Sequence, residues 1–120
     1  MMELVNHPRS VEFTWQDQTR VNGFLTDEDL AQWNNQGFFL LKNALDPDLL
    51  AEIEREIDPF EAEYEQSLVE QGGSFGISKA DALTFTTHLV PRSDRLKEFS
   101  LHKVFGQLCL NLLGADARLY

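Results

Sequence analysis

Three histidines, His7, His88 and His102, are the side chains of this chain best suited to bind a transition metal. A non-haem iron centre needs two histidines and one carboxylate, and its common local form places Asp or Glu two residues after a His. Here the residue two positions after each histidine is Arg or Val. A nucleophile elbow, a phosphate loop and a CxxC pair are also missing. We therefore expect no catalytic residue and no metal ligand within these 120 residues.

Carboxylates are concentrated in one stretch, residues 46–71. It contains ten acids and a single base, Arg55, so it holds nearly all of the net charge of −10. A metal site or an acidic docking surface would use such a cluster, but calcium loops need a DxDxDG-like pattern that the stretch does not contain. Because most of the acids lie off the apolar positions, the pattern favours a solvated helix face.

Composition excludes several classes of partner. A strongly acidic chain lacks the clustered Lys and Arg that nucleic acid and anionic membranes require, so we expect neither as a partner. No apolar run is long enough to span a bilayer, and residues 1–10 lack the apolar core of a signal peptide. The single Cys109 cannot form an internal disulfide, which fits a reducing, cytoplasmic location.

The acidic stretch must itself be a helix. Asp46 is placed to cap it, Pro47 suits its first position, and apolar residues recur at steps of three and four from Leu49 to Leu68. Pro59 falls inside the pattern without changing its phase. We therefore predict one long helix over residues 46–71, kinked near Asp58, with Asp58 able to cap a second half if the helix breaks.

Other elements follow from local signals. A capping box at Thr26 and Asp29 predicts a helix that ends at Gly37, Ser93 can cap another, and apolar positions over residues 101–113 predict a third that ends at Gly114. Glycines at 72, 73 and 76 predict a loop, either a connector or a mobile lid. Alternating or short apolar runs predict strands over residues 11–15, 38–41, 83–89 and 118–120. Trp33 is expected to pack between its helix and the strand at 38–41.

Three segments resemble the N-terminal part of the phytanoyl-CoA dioxygenase family: LTDEDLAQWNNQGFFLLKNALDPDLLAEI, LTFTTHLVPRSDRLKEF and LCLNLLGADARLY. The similarity extends from about Leu25 to Tyr120. Members of this family are Fe(II)- and 2-oxoglutarate-dependent oxygenases (hydroxylases) with a double-stranded β-helix, or jelly-roll, core. The resemblance implies a mainly helical α+β chain: an arm with a short strand at 1–24, then the helical flank of the jelly roll at 25–120, truncated before the metal-binding barrel.

The resemblance also implies where the cofactors belong. In the family a His-x-Asp pair and a distal His hold Fe(II) on later strands, so we expect this chain alone to bind neither Fe(II) nor 2-oxoglutarate and to be inactive. One cofactor-binding position carries over, His88, which corresponds to a residue that helps to hold 2-oxoglutarate. A surface histidine on a strand edge is the alternative for His88.

A different class of function is a stand-alone helical interaction or dimerisation module. Helices that cover a barrel expose apolar faces when the barrel is missing, and a homodimer or a partner protein would cover them. Arg92, Arg95 and Lys97 offer a basic surface to an acidic substrate or thioester carrier, or else they are simply solvated.

Overall fold

Helices form most of the regular structure of this chain. A computed structural model describes residue 5 and residues 7–9, 11–12 and 14–118. The elements within them are α1 (Asp27–Gln36), α2 (Pro47–Glu70), β1 (Ser74–Phe75), β2 (Ser78–Lys79), α3 (Leu89–Arg92), α4 (Asp94–Ser100) and α5 (Lys103–Leu112). The predicted mainly helical α+β class is confirmed. None of the helices in the described residues combines the length and the apolar character that crossing a membrane requires.

The chain divides into two compact units, Met1–Leu40 and Leu41–Tyr120. The first contains α1, and the second contains the sheet and the other four helices. We predicted a boundary between residues 24 and 25, where the resemblance to the family starts, and that boundary stays a prediction.

Helix α1 has the predicted ends. The Thr26 hydroxyl accepts a hydrogen bond from the Asp29 amide at 3.1 Å, and the Asp29 carboxylate accepts one from the Thr26 amide at 3.0 Å. Gly37 closes the helix with φ 78°, a left-handed conformation that glycine adopts without steric cost, and its N–H donates to the Trp33 carbonyl. The capping box and the glycine stop are both confirmed.

Aromatic side chains organise the first unit. The Trp33 ring lies 6.2 Å from the Trp15 ring and 6.2 Å from the Phe39 ring, centroid to centroid. The predicted contact of Trp33 with the segment after α1 is therefore present. The strand predicted there is wrong, because residues 38–41 pair with no other strand in the described part of the chain. The strand predicted at 11–15 is also missing at residues 11, 12, 14 and 15, and residue 13 lies outside the described residues.

Helix α2 begins as predicted. The Asp46 carboxylate accepts hydrogen bonds from the amides of Asp48 and Leu49, and Pro47 occupies the first turn, where no donor is needed. The helix continues through Pro59 to Glu70, so Asp58 does not start a second helix. A kink near Asp58 stays a prediction. On its apolar stripe Ile53 and Leu68 are buried and the positions between them are half-buried.

The glycine-rich segment after α2 contains a small hairpin where we predicted a loop. Ser74 pairs with Lys79 and Phe75 pairs with Ser78, which leaves Gly76 and Ile77 as a two-residue turn. Gly76 has φ 58°, and a left-handed glycine at the first turn position is typical of type II′ hairpins. The Tyr64 hydroxyl of α2 donates to the Ser78 hydroxyl at 3.1 Å and ties the hairpin to the helix.

The strand predicted at 83–89 is wrong. Leu83 forms an isolated bridge with Lys79, but residues 84–88 pair with no strand among the residues that the structure describes, and His88 adopts a left-handed conformation with φ 58°. Helix α3 then starts at Leu89. An alternating sequence becomes a strand only if a second strand accepts its hydrogen bonds, and here the neighbouring elements are mostly helices.

Helices α4 and α5 complete the second unit. The Ser93 hydroxyl caps α4 as predicted by accepting from the Leu96 amide at 3.1 Å. Helix α5 starts later than predicted, since Leu101 ends α4 and His102 caps α5 by accepting from the Val104 amide. Gly114 follows the helix with φ 95°, as predicted. Arg118 is not in a strand, and residues 119 and 120 of the strand predicted at 118–120 lie outside the described residues.

Candidate functional site

The second unit contains an apolar groove of about 820 Å³, formed by α2, α3, α4, α5 and the segment after α5. Its walls are mostly apolar, and the polar side-chain groups among them are one hydroxyl, one thiol and one guanidinium. The lining residues are Ile53, Ile57, Leu89, Val90, Leu96, Phe99, Ser100, Leu101, Phe105, Gly106, Cys109, Leu110, Gly114, Ala115, Ala117 and Arg118. Its volume and composition are those of a binding cleft.

Helical periodicity places these side chains on the groove. Ile53 and Ile57 are four residues apart on α2 and share one face, and Phe105 and Cys109 do the same on α5. The Phe99 ring of α4 meets the Phe105 ring edge to face at 5.3 Å, which fixes the corner between the two helices. The groove is therefore built by regular elements and not by loops alone.

An ion pair joins α4 to the first half of α2. The Arg95 guanidinium donates from Nε and Nη2 to the two carboxylate oxygens of Glu52, at 2.5 and 3.0 Å, and from Nη1 to Glu98 at 2.9 Å. The hydrogen bond from Arg95 holds the pKa of the Glu52 carboxyl below its ordinary value, and the same bond holds the pKa of Arg95 above its ordinary value. Both groups are thus kept charged.

Two further contacts extend this connection along α2. The Ser93 hydroxyl donates to the Glu56 carboxylate at 2.5 Å, and Arg92 pairs with Glu63. The Arg92 guanidinium also lies 4.6 Å from the centre of the Phe60 ring, a cation–π contact. We call the contacts that Arg92, Ser93 and Arg95 make with α2 the clasp. It holds α3 and α4 beside α2, so that the apolar side chains of both helices reach the groove.

The clasp changes the interpretation of the acidic helix face. We predicted a solvated face, yet Glu52, Glu56 and Glu63 bind side chains of residues 92–95, and Glu65 accepts from the Asp81 amide at 2.6 Å. Other acids of α2, such as Glu54 and Asp58, are exposed as predicted. The carboxylates that touch the rest of the unit have a structural role.

Of the three basic residues predicted either to face an acidic substrate or to be solvated, two contact α2 and one does not. Arg92 and Arg95 are engaged by the clasp, and Lys97 forms no ion pair with any residue that the structure describes. Lys103 and Arg118 also lack an ion pair among the described residues, and Asp116 is exposed.

His88, the predicted 2-oxoglutarate contact, is exposed and lies immediately before Leu89, which lines the groove. The strand edge on which we placed it does not form. His7 accepts a hydrogen bond from the Arg9 amide, and His102 caps α5. Across residues 5, 7–9, 11–12 and 14–118, no group of three His, Cys, Asp or Glu side chains could hold a metal ion. The role of His88 in cofactor binding stays a prediction.

Sequence reasoning missed the groove, although one signal for it was present. The apolar positions of α5 are too many for a single face: Val104 is buried on one side, and Phe105 and Cys109 line the groove on the other. A helix that is apolar over so wide an arc contacts neighbours on two sides.

Chemically, the groove can bind apolar surface. Its lining contains one thiol, Cys109, and one hydroxyl, Ser100, and the latter donates to the Lys97 carbonyl at 2.7 Å. Neither has a histidine or carboxylate partner among the contacts of the described residues, so the lining offers no activated nucleophile.

Comparison with protein-family models, with curated protein sequences and with solved structures gives no significant match to this chain.

Proposed function

We propose that the helical unit from Leu41 to Tyr120 is a non-catalytic docking module whose groove binds an apolar surface of another polypeptide. The observation that supports this most directly is the groove itself, about 820 Å³ with mostly apolar walls. Contiguous exposed apolar surface of this kind marks association sites in proteins.

The border of the groove supports the same conclusion. Leu101 lines it with 73 % of its surface exposed, and Leu113, one residue before the lining Gly114, is 75 % exposed. Large side chains left in water at the mouth of an apolar groove gain free energy when a partner covers them, at about 25 cal/mol per Å² of apolar area.

The resemblance to the phytanoyl-CoA dioxygenase family supports a second, related proposal. In that arrangement the helices would brace the jelly-roll barrel of an Fe(II)- and 2-oxoglutarate-dependent oxygenase, and the bound surface would belong to the barrel. The described residues contain no ligand set that fits Fe(II), so no reaction step is assigned to them. His88 would then be the residue of this chain that helps to hold the cosubstrate.

Docking can take two forms, either a homodimer of this chain or a complex with a different protein. A cytoplasmic location is our expectation for either form, since Cys109 is the single cysteine. Size-exclusion chromatography with light scattering separates the two, because a homodimer doubles the mass of the purified chain and a module awaiting a partner remains a monomer.

Blocking the groove tests docking directly. Gly106 lines the groove and is helical, and an added Cβ there would meet no atom within 4 Å, so Gly106→Leu is the substitution chosen to place a side chain in the groove. Gly23 also has open space around an added Cβ and lies in the other unit, which makes Gly23→Leu the matched control. Gly106→Leu is expected to lower binding of an apolar fluorescent dye at least tenfold, and the control to leave it unchanged. Equal binding by both variants would exclude the groove as the docking site.

The oxygenase proposal has its own tests. Titration with Fe(II) and 2-oxoglutarate is expected to give no saturable binding to the purified chain, and an in-frame His-x-Asp segment downstream in the gene would support the assignment. Saturable 2-oxoglutarate binding that His88→Ala abolishes would contradict the expectation that this chain binds no cofactor.

A further inference from the structure

We propose that Asn22 is a site of spontaneous deamidation, at which the folded chain converts this asparagine to aspartate and isoaspartate. The reaction consumes water and releases ammonia. It concerns the first unit, Met1–Leu40, and does not depend on the docking function.

Asn22 is the one asparagine of the sequence that precedes a glycine. The other five, at positions 6, 34, 35, 43 and 111, precede His, Asn, Gln, Ala and Leu. In deamidation the main-chain nitrogen of the next residue attacks the carbonyl carbon of the asparagine side chain. Because glycine has no Cβ and a wide range of φ and ψ, this attack is least hindered at Asn22.

The attacking nitrogen belongs to Gly23, which is open to solvent. Gly23 is exposed, and apart from its chain neighbours nothing lies within 4 Å of a Cβ built on it. Its amide donates no hydrogen bond to any residue that the structure describes. The nitrogen can therefore lose its proton to a base in solution without first breaking a contact.

The Asn22 side chain is folded over the peptide unit that follows it. Its Oδ1 accepts a hydrogen bond from the Phe24 amide at 2.9 Å. That bond closes a ring that contains both Cγ of Asn22 and the nitrogen of Gly23, so the two reacting atoms are held near each other. The Phe24 N–H also donates to the oxygen that becomes negative as the nitrogen adds, and it stabilises that charge.

Water and a base in solution balance the reaction. The deprotonated Gly23 nitrogen forms a bond to Cγ of Asn22. The bond from Cγ to the side-chain nitrogen breaks, and that nitrogen leaves as ammonia after it takes a proton from water. Water then opens the resulting cyclic imide, either at Cγ to give aspartate or at the main-chain carbonyl to give isoaspartate. No atom is oxidised or reduced.

The other asparagines in the described part of the chain lack this arrangement. Asn34 and Asn35 lie within α1 and Asn111 lies within α5, where the next main-chain nitrogen is held in a helical hydrogen bond. The Asn34 side chain also bonds the main chain of Gln18 through both of its amide atoms. Asn43 precedes an alanine, whose Cβ hinders the attack.

Isoaspartate at position 22 would disturb a short loop that is fixed at both ends. The Gln18 main chain is bonded to Asn34 of α1 at 2.8 and 2.9 Å, and Thr26 caps the same helix. Leu25, next to the cap, is 1 % exposed. Isoaspartate adds one carbon to the backbone of this loop, so either the Leu25 side chain or one end of the loop must shift. Aspartate keeps the normal backbone and an oxygen that can accept from the Phe24 amide.

Peptide mapping by mass spectrometry tests the site. The purified full chain is kept in mildly alkaline buffer, and conversion at each asparagine is followed by the mass increase that accompanies replacement of NH2 by OH. Fragmentation by electron transfer distinguishes isoaspartate from aspartate. Asn22 is expected to convert at least about tenfold faster than each of the other asparagines.

Two variants and one condition test the mechanism. Gly23→Ala places a Cβ on the attacking residue and should slow conversion at least about tenfold. Gly106→Ala makes the same change in the second unit, where an added Cβ also has open space, and should leave the rate at Asn22 unchanged. The parent chain in concentrated urea gives the rate without the fold, and the folded chain is expected to convert within about tenfold of that rate.

Tryptophan fluorescence measures the effect on the first unit. Both tryptophans of the chain, Trp15 and Trp33, lie in that unit, with their rings 6.2 Å apart. Ion exchange separates the converted chain from the parent by its additional negative charge. The converted chain is expected to have a lower urea midpoint than Asn22→Asp, which has the same charge and a normal backbone.

Three results would overturn the proposal or a part of it. The site would be wrong if Asn22 converts no faster than the other asparagines, or if the folded rate is more than about tenfold below the urea rate, since the turn would then have to open first. Equal rates in Gly23→Ala and the parent would exclude attack by the Gly23 nitrogen. Equal urea midpoints for the converted chain and Asn22→Asp would overturn the effect of isoaspartate on the loop.

Discussion

Removing the Ser93 hydroxyl should destabilise the second unit more than any other single-atom change to the clasp. Ser93 is buried, its hydroxyl accepts from the Leu96 amide at 3.1 Å, and it donates to Glu56 at 2.5 Å. Loss of an N-cap costs about 1 kcal/mol. The bond to a half-buried carboxylate adds about 1 kcal/mol more, at the low end for charged hydrogen bonds because water can replace part of it. Ser93→Ala should therefore cost about 2 kcal/mol.

Urea unfolding followed by far-ultraviolet circular dichroism measures this cost. A melting temperature about 8 °C lower is the corresponding thermal result for a domain of this size. A double-mutant cycle with Glu56→Gln isolates the second bond, and we expect a coupling free energy of about 1 kcal/mol. Ser100→Ala serves as the matched control, because its hydroxyl bonds an exposed carbonyl at the end of α4 and its loss should cost less than about 0.5 kcal/mol.

The reasoning fails if Ser93→Ala costs no more than Ser100→Ala, because the serine would then be neither a cap nor a link to α2. If Ser93→Ala has the expected free-energy cost but shows no coupling to Glu56→Gln, Ser93 caps α4 but its hydrogen bond to Glu56 does not contribute to stability. Ser93→Thr, which keeps the hydroxyl, should recover most of the stability.

Three further predictions concern α2. Leu68→Ala should lower the free energy of unfolding by about 2–5 kcal/mol, since Leu68 is 1 % exposed. Its neighbour Val69 is exposed, and Val69→Ala should lower that free energy by less than about 0.5 kcal/mol in the same urea experiment. Pro59→Ala should raise the melting temperature, because proline inside a helix costs up to about 3 kcal/mol relative to alanine. Arg95 lowers the pKa of Glu52 below its ordinary value of 4.5. The ion pair therefore stabilises the fold above pH 4.5, and this stabilisation is lost as the pH falls through the lower pKa of the folded state. Glu52→Gln should remove this part of the acid dependence when urea midpoints are measured from about pH 5 to 3.

Each of these has an outcome that would contradict it. Equal costs for the Leu68 and Val69 variants would place the core elsewhere. A Pro59→Ala variant no more stable than the parent would mean that α2 is already relaxed around its proline. An unchanged pH profile in Glu52→Gln would show that the ion pair with Arg95 does not contribute in solution.

Helix ends were predictable here because their signals are local. Thr26 with Asp29, Asp46 with Pro47, and Ser93 each satisfy amides only two or three residues away, so the sequence states the contact directly. His102 is the exception. The apolar pattern begins at Leu101, so we predicted that α5 starts there. Leu101 is instead the C-cap of α4, and α5 therefore starts after His102.

Strands were not predictable, since each depends on a partner that is distant or missing. Residues 83–89 alternate correctly, yet only Leu83 finds a partner backbone. The hairpin that does form has strands of two residues, too short for any periodicity, and its one local signal was Gly76 followed by Ile77. The clasp could not be predicted for the same reason, because Arg95 and Glu52 are 43 residues apart in the sequence.

Two sets of contacts secure α2 along its length, and this should divide its amide hydrogen exchange into two tiers. The clasp holds the helix from Glu52 to Glu63, while the hairpin contacts the next turn through Tyr64 and Ser78. Opening of the hairpin leaves the clasp intact, so amides after Tyr64 should exchange through a local opening of lower free energy, and amides before it through unfolding of the whole unit. One continuous helix would then report on two separate stabilities.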